Sequence, residues 1–248
     1  MHKIIIFLFV MFVASLVLAQ DEVEDYGVVS AQDNILDAVR AAEAELEGIA
    51  YSWYSLELAH CSGFVSRYLE HLGLPTKLDV TAPTAYTPLP TSPIPASSTH
   101  MQVARFELLN EQVGGGYALM TTVETLLRRP SGWNLMGIKP GSLIYWSKAE
   151  AQIEYNGWAH VTILLGYDAS QLPIFADFAA GMNNGPMLGR SLKQIADGLY
   201  WSGITRGWDL TPYDSLENPG PLRAYVVDVF GITAAALEAG IFTEMNND

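Results

Sequence analysis

The sequence is poor in cysteine, in basic residues and in charge overall. Its 248 residues include one cysteine, so an internal disulfide is excluded. Only 13 lysines and arginines stand against 27 aspartates and glutamates, and the formal net charge is −14. Nucleic acids and anionic membrane surfaces would be repelled by this charge, so we expect neither as a partner. Charged residues make up 16% of the chain and hydrophobic residues 50%, which excludes a disordered chain, a collagen and a coiled coil.

Long apolar runs are also lacking. The run from Ile4 to Leu18 has 15 residues, whereas a bilayer-spanning helix needs about 20. It follows His2 and Lys3 and ends at Ala19, where a signal peptidase would cut. We therefore predict a signal peptide over residues 1–19, an acidic exposed leader over 20–32, and a secreted protein in the cell wall or periplasm without a stable membrane anchor. A permanent anchor is the alternative interpretation of the same run.

From residue 33 onward the pattern predicts helices first and strands afterwards, which is typical of an α+β domain with an antiparallel sheet. We expect one domain over residues 33–248, with N-terminal helices packed on about five strands and a Pro-rich and helical insertion at about 78–135. Helices are predicted over Asp33–Gly48, Cys61–Leu72, Met101–Asn110, Tyr117–Arg128 and Ile232–Phe242. Strands are predicted over Ser142–Trp146, Ala159–Leu165, Leu172–Phe178, Tyr200–Thr205 and Leu222–Phe230.

Cys61 is the first candidate for chemistry because it lies at the predicted start of a helix. A helix N-terminus stabilises an anion, so a thiol there is expected to have a lowered pKa and a larger thiolate fraction. The thiolate is the nucleophilic form of cysteine. Burial as an ordinary apolar residue is the alternative for a lone cysteine.

A cysteine nucleophile needs a base, and His160 is the preferred candidate. It begins an apolar strand, where a polar side chain is out of place unless it has a partner. Of the other histidines, His60 adjoins Cys61 and would point away from it, His71 is expected to face solvent, and His100 follows a loop without a clear role.

Asp177 is the predicted residue that orients His160. A four-residue loop after Gly166 would pair His160 with Asp177 across two strands, and such partners share a face of the sheet. Asn183 and Asn184 are the fallback candidates. A solubilising charge on an edge strand is an equally good account of Asp177.

Four sequence motifs occur in an order that resembles a known family. They are Gly48-Ile49-Ala50-Tyr51-Ser52-Trp53, then His60-Cys61-Ser62-Gly63-Phe64-Val65 with Leu72-Gly73-Leu74-Pro75, then Lys139-Pro140-Gly141-Ser142-Leu143-Ile144-Tyr145-Trp146, and His160-Val161-Thr162-Ile163-Leu164-Leu165-Gly166. This series resembles the NlpC-type cell-wall cysteine peptidases, which are compact papain-like enzymes that hydrolyse amide bonds in peptidoglycan stem peptides. The chain departs from the family at His60, where the family usually has aspartate.

The resemblance implies a Cys61 nucleophile, a His160 base and a polar third residue for which Asp177 is the matching position. It also implies that Tyr51 helps to bind substrate or to stabilise the oxyanion. We expect the substrate-binding residues to be Tyr51, Trp53, His60 and Ser62. No cofactor and no metal are expected, and the expected partner is a stem peptide or a similar acyl substrate.

Two other functions fit the same residues. One is a catalytically silent member of the fold that binds wall peptides or a protein partner in the same cleft. The other is a papain-like hydrolase or acyltransferase acting on a different amide or ester, because a cysteine–histidine pair does not select the acyl group.

Overall fold

A computed structural model describes residues 33–52, 59–73, 99–128, 136–147, 158–195 and 223–241. The predicted signal peptide, the leader, the Pro-rich segment and the strand Tyr200–Thr205 lie outside these ranges. The described helices are α1 (Asp33–Ala44), α2 (Cys61–His71), α3 (Thr99–Gln112), α4 (Val123–Arg128) and α5 (Val229–Glu238). The strands are β1 (Ala118–Thr122), β2 (Leu143–Ser147), β3 (Trp158–Tyr167), β4 (Pro173–Asp177), β5 (Met187–Ser191) and β6 (Arg223–Val227).

The strands form one antiparallel sheet of six in the order β1-β6-β2-β3-β4-β5. The α+β class is therefore confirmed. The prediction of a helix over Tyr117–Arg128 is wrong for its first half, because Ala118–Thr122 is a strand that pairs with β6. The predicted insertion thus contributes a strand to the central sheet. The predicted strand Leu222–Phe230 is also too long, since a helix begins at Val229.

Two apolar clusters lie on the two sides of the sheet. The larger joins residues of α1, α2, α3 and α5 to strand residues such as Val161 and Ala176. Its members Ile35, Val39, Ala42 and Leu46 are all buried. The smaller cluster joins Val123 and Leu126 of α4 to alternate residues of the strands, among them Trp146 and Phe175. Successive strand residues point to opposite faces, so each strand serves both clusters.

Three of the strand pairings contain an irregularity. The register shifts between Trp146 and Ser147 in the β2–β3 pair, between Leu164 and Gly166 in the β3–β4 pair, and between Phe175 and Asp177 in the β4–β5 pair. A bulge adds one residue to a strand and redirects the side chains beside it. In the β2–β3, β3–β4 and β4–β5 pairs, which side chains lie opposite each other therefore differs from a regular antiparallel sheet.

Candidate active site

Cys61 is the first residue of α2, as the sequence predicted. Its side chain is 0% exposed and belongs to the larger apolar cluster. The backbone N–H groups of the first turn of a helix point toward its N-terminus and favour negative charge there. Cys61 is thus buried at the end of α2 toward which these backbone N–H groups point.

His60 caps this helix. The backbone N–H of Gly63 donates to His60 Nδ1 over 3.2 Å, and Ser62 Oγ lies 3.0 Å from the same nitrogen. Burial, and next the positive charge of Arg67, lower the pKa of His60, so the neutral ring is favoured. A neutral Nδ1 accepts a hydrogen bond as a capping aspartate oxygen would. His60 therefore supplies the hydrogen-bond acceptor that an aspartate would supply, but without the negative charge of an aspartate.

Ser62 is fully buried beside this cap. Its carbonyl oxygen accepts hydrogen bonds from Ser66 Oγ and from Gln102 Nε2, both over 3.0 Å. These contacts join the first turn of α2 to α3, and the substrate contact of Ser62 stays a prediction.

His160 on β3 and Asp177 on β4 form a buried pair, with 2.6 Å between His160 Nε2 and Asp177 Oδ1. The predicted partnership is confirmed, but its predicted register is wrong. Gly166 pairs with Ile174, and Ile163 with Ala176, so His160 is not directly opposite Asp177. Continuing this register places Asp177 opposite Thr162, two residues from His160. Residues two apart share a face, which explains why the contact survives the difference in register.

The surroundings of His160 favour its charged form. Burial opposes the positive charge, but Asp177, its hydrogen bond and the Cys61 sulfur together raise the pKa of His160 to about 10. A side-chain hydrogen bond joins His160 to Cys61 as well. Since Nε2 faces Asp177, Nδ1 is the nitrogen left for the sulfur. Cys61, His160 and Asp177 thus form a continuous chain in which an imidazolium lies between two groups that carry negative charge when ionised.

Tyr51 completes the surroundings of Cys61. Its backbone N–H donates to the carbonyl oxygen of Met182 over 2.8 Å, and its ring meets Phe178 edge to face with 5.3 Å between centroids. Its hydroxyl makes a side-chain hydrogen bond with Cys61. Burial, the charge of Cys61, this hydrogen bond and the charge of Asp177 all raise the pKa of Tyr51, so the hydroxyl keeps its proton.

Arg190 on β5 extends the chain of Cys61, His160 and Asp177 by a fourth residue, which was not predicted from the sequence. Its Nη1 donates to Asp177 Oδ2, and its Nη2 donates to the carbonyl oxygen of Gln194 over 2.5 Å. The strand Met187–Ser191 was not predicted either. The available signal was an arginine directly after Gly189 in an acidic chain, next to a run of turn residues.

Other predicted residues lie elsewhere. Trp53 falls outside the described residues, and nothing is described of the His100 side chain. His71 Nε2 lies 2.6 Å from Glu45 Oε1 at the surface, while Asn183 and Asn184 are exposed. Within the described ranges, no three histidine, cysteine, aspartate or glutamate side chains group as metal ligands would, and no helix has the length and apolarity needed to cross a membrane.

The site is therefore defined by its own geometry, from Tyr51 and Cys61 through His160 and Asp177 to Arg190. Searches for similar proteins add nothing to it: no protein-family model, no curated protein and no solved structure matches the chain.

Proposed function

We propose that the protein is a secreted cysteine amidohydrolase of papain-like fold that cleaves amide bonds in peptidoglycan stem peptides. The observation that carries the proposal is the chain from Cys61 at a helix N-terminus through His160 to Asp177, with 2.6 Å between His160 Nε2 and Asp177 Oδ1. A nucleophile, a base and a residue that orients the base are the three parts that acyl transfer needs.

The proposed reaction starts from an ion pair in which the proton of the Cys61 thiol already lies on His160 Nδ1. The Cys61 thiolate attacks the substrate carbonyl. The backbone N–H of Cys61 and the Tyr51 hydroxyl then stabilise the oxyanion. The imidazolium gives this proton to the leaving amine. His160 then takes a proton from water, the hydroxide attacks the acyl carbon, and the Cys61 thiolate leaves, which restores the ion pair. Asp177 holds the ring so that Nδ1 faces the sulfur throughout.

The substrate class rests on the four sequence motifs that resemble NlpC-type peptidases. The capping geometry of His60 supports a preference for stem peptides that differ from those cleaved by family members with an aspartate at this position. The family aspartate offers a fixed negative charge to the amino end of a stem peptide, whereas a neutral His60 offers none. We therefore expect the preferred peptide to lack a free ammonium group at the position next to residue 60.

The test is digestion of purified peptidoglycan and soluble stem peptides under reducing conditions, with products identified by mass spectrometry. We expect new fragments from the parent protein and none from Cys61→Ala or His160→Gln. His71→Gln removes a surface histidine outside the site and should cleave as the parent does. If the parent gives no fragments across several wall chemistries, the murein proposal is wrong.

The burial of Cys61 favours a second candidate function. Its side chain is 0% exposed, so a substrate reaches the sulfur only after neighbouring groups move. A catalytically silent protein that binds peptides on the same fold would tolerate a permanently covered thiol. Alkylation by iodoacetamide under native conditions separates the two, because an active enzyme must expose Cys61 during turnover. Labelling only after denaturation would favour the silent binding protein.

A further inference from the structure

Asp177 divides its two carboxylate oxygens between a buried histidine and a half-buried arginine. Oδ1 faces His160 Nε2, and Oδ2 accepts a hydrogen bond from Arg190 Nη1. The side chains of Asp177 and Arg190 are 1% and 11% exposed. The Arg190 guanidinium is fixed at a second point by the Gln194 carbonyl. An arginine held at two points keeps its planar group in one orientation, and this also restrains the carboxylate.

The strand geometry places Arg190 for this contact. Phe175 pairs with Arg190, but Asp177 pairs with Met187, so β5 carries one residue more than β4 between these pairs. Gly189 lies in this bulge with φ 75°, a conformation that residues with a side chain rarely adopt. Arg190 and Asp177 therefore lie diagonally on one face, a separation that a long side chain spans.

We propose that Arg190 is a positioning residue of the active site, which orients Asp177 toward His160 and supplies the cation that balances the charge of the ionised site. This rests on the proposed function. With Arg190 present, two cations (Arg190 and His160) face two anions (Asp177 and the Cys61 thiolate). Without it, one imidazolium faces both anions in a buried site, where charge imbalance is costly.

The groups around the thiol define the expected effect. Tyr51 approaches Cys61 from the segment before α2, His160 from β3, and Asp177 and Arg190 follow behind His160 on β4 and β5. Tyr145 approaches Cys61 from β2. Burial and the charge of Cys61 raise the pKa of both Tyr51 and Tyr145, so both hydroxyls are neutral at working pH. The side-chain charges near the thiolate are therefore those of His160, Asp177 and Arg190. Loss of the Arg190 cation removes a favourable interaction with the thiolate. We expect the thiolate absorbance at neutral pH to be smaller in Arg190→Gln than in the parent.

The experiment has two readouts: titration of the thiolate, which needs no substrate, and kcat and KM on the stem peptide that the parent cleaves. Because Cys61 is the only cysteine, the ultraviolet absorbance of the thiolate, corrected with Cys61→Ala, reports this one group. The variants are Arg190→Gln, Arg190→Lys and, as a matched control, the exposed Arg40→Gln. Arg190→Lys keeps the charge but cannot bind Asp177 and the Gln194 carbonyl together. We expect it to titrate like the parent while kcat falls several-fold with KM unchanged.

The outcomes separate the inference from the proposed function. An ordinary thiol titration in the parent that His160→Gln leaves unchanged would overturn the Cys61–His160 pair itself. A shifted parent titration that responds to His160→Gln but is the same in Arg190→Gln would overturn the role of Arg190 alone. If Arg190→Gln does not fold, Arg190→Lys decides, because a parental kcat in that variant contradicts the positioning role.

Discussion

The side-chain amide of Gln102 donates to the carbonyl oxygen of Ser62 over 3.0 Å, which joins α3 to the first turn of the helix that carries Cys61. The other end of the same amide accepts a hydrogen bond from Tyr145 Oη on β2 over 3.1 Å. Gln102 is fully buried. One side chain thus links the predicted insertion, the helix that begins at Cys61 and the sheet.

Replacement of Gln102 by leucine should destabilise the protein by about 2 kcal/mol, because the buried Tyr145 hydroxyl loses its acceptor and the Ser62 carbonyl keeps only its bond from Ser66 Oγ. Urea unfolding measures this difference. Gln112→Leu, at the exposed end of the same helix, is the control and should change little. Equal unfolding midpoints for the two variants would contradict the buried link.

Asp177→Asn should narrow the pH range of activity. The carboxylate raises the pKa of His160, so a neutral amide lowers it, and the imidazolium is lost at a lower pH. We expect the alkaline limb of the kcat/KM profile to move to lower pH, with a loss of roughly 10- to 100-fold at pH 8. Asp37→Asn, on the exposed face of α1, should keep the parental profile.

The same histidine makes stability depend on pH. Its pKa is raised from 6.5 to about 10 by folding, so the stability it contributes is complete below pH 6.5 and lost as the pH rises toward 10. Free energies of unfolding measured across this window should fall more steeply for the parent than for His160→Gln. Parallel curves would show that His160 does not gain its proton affinity from the fold.

The contribution of His60 to stability should have the opposite pH dependence, since it is lost as the pH falls. Folding lowers its pKa, so its contribution is present above pH 6.5 and is lost as the pH falls, when protonation removes the Nδ1 acceptor of the cap. His60→Asn should keep the cap and abolish this acid sensitivity, while His60→Ala should cost about 1 kcal/mol at pH 7.5. Thermal unfolding at pH 5 and pH 7.5 compares the three proteins.

The substitution Gly185→Ala tests whether close packing around Gly185 holds the segment that carries Tyr51. A Cβ added there would lie 2.6 Å from the carbonyl oxygen of Leu46, next to Gly48, whose N–H donates to Asn184 O. Gly185→Ala should therefore displace the segment that holds Tyr51 and cost at least about 2 kcal/mol. Gly181 also has positive φ but nothing within 4 Å of its Cβ position, so Gly181→Ala isolates backbone strain, about 1 kcal/mol. If Gly185→Ala and Gly181→Ala lose equal stability and activity, the clash between residue 185 and Leu46 is not the cause of the loss.

Two of the proposed catalytic residues, Cys61 and His160, could be found in the sequence because each contradicts its local pattern. Cys61 and Gly63 begin a helix, and His160 is a polar residue at the start of an apolar strand. The pairing of β1 with β6 could not be found, because the two strands are far apart in the chain and Ala118–Thr122 has little strand character of its own. The register between β3 and β4 depended on the bulge near Leu165, and Arg190 on the bulge at Gly189. Neither has an unambiguous local signal.

The position of β6 affects how truncation would inactivate the protein. It is the last of the described strands in sequence but lies between β1 and β2 in the sheet. A chain cut before Arg223 keeps Cys61, His160, Asp177 and Arg190, yet β1 loses its partner and β2 exposes a row of unpaired backbone groups. Such an edge recruits other chains. Proteolysis or premature termination at this point would therefore abolish activity through aggregation of a chain whose catalytic groups are all present.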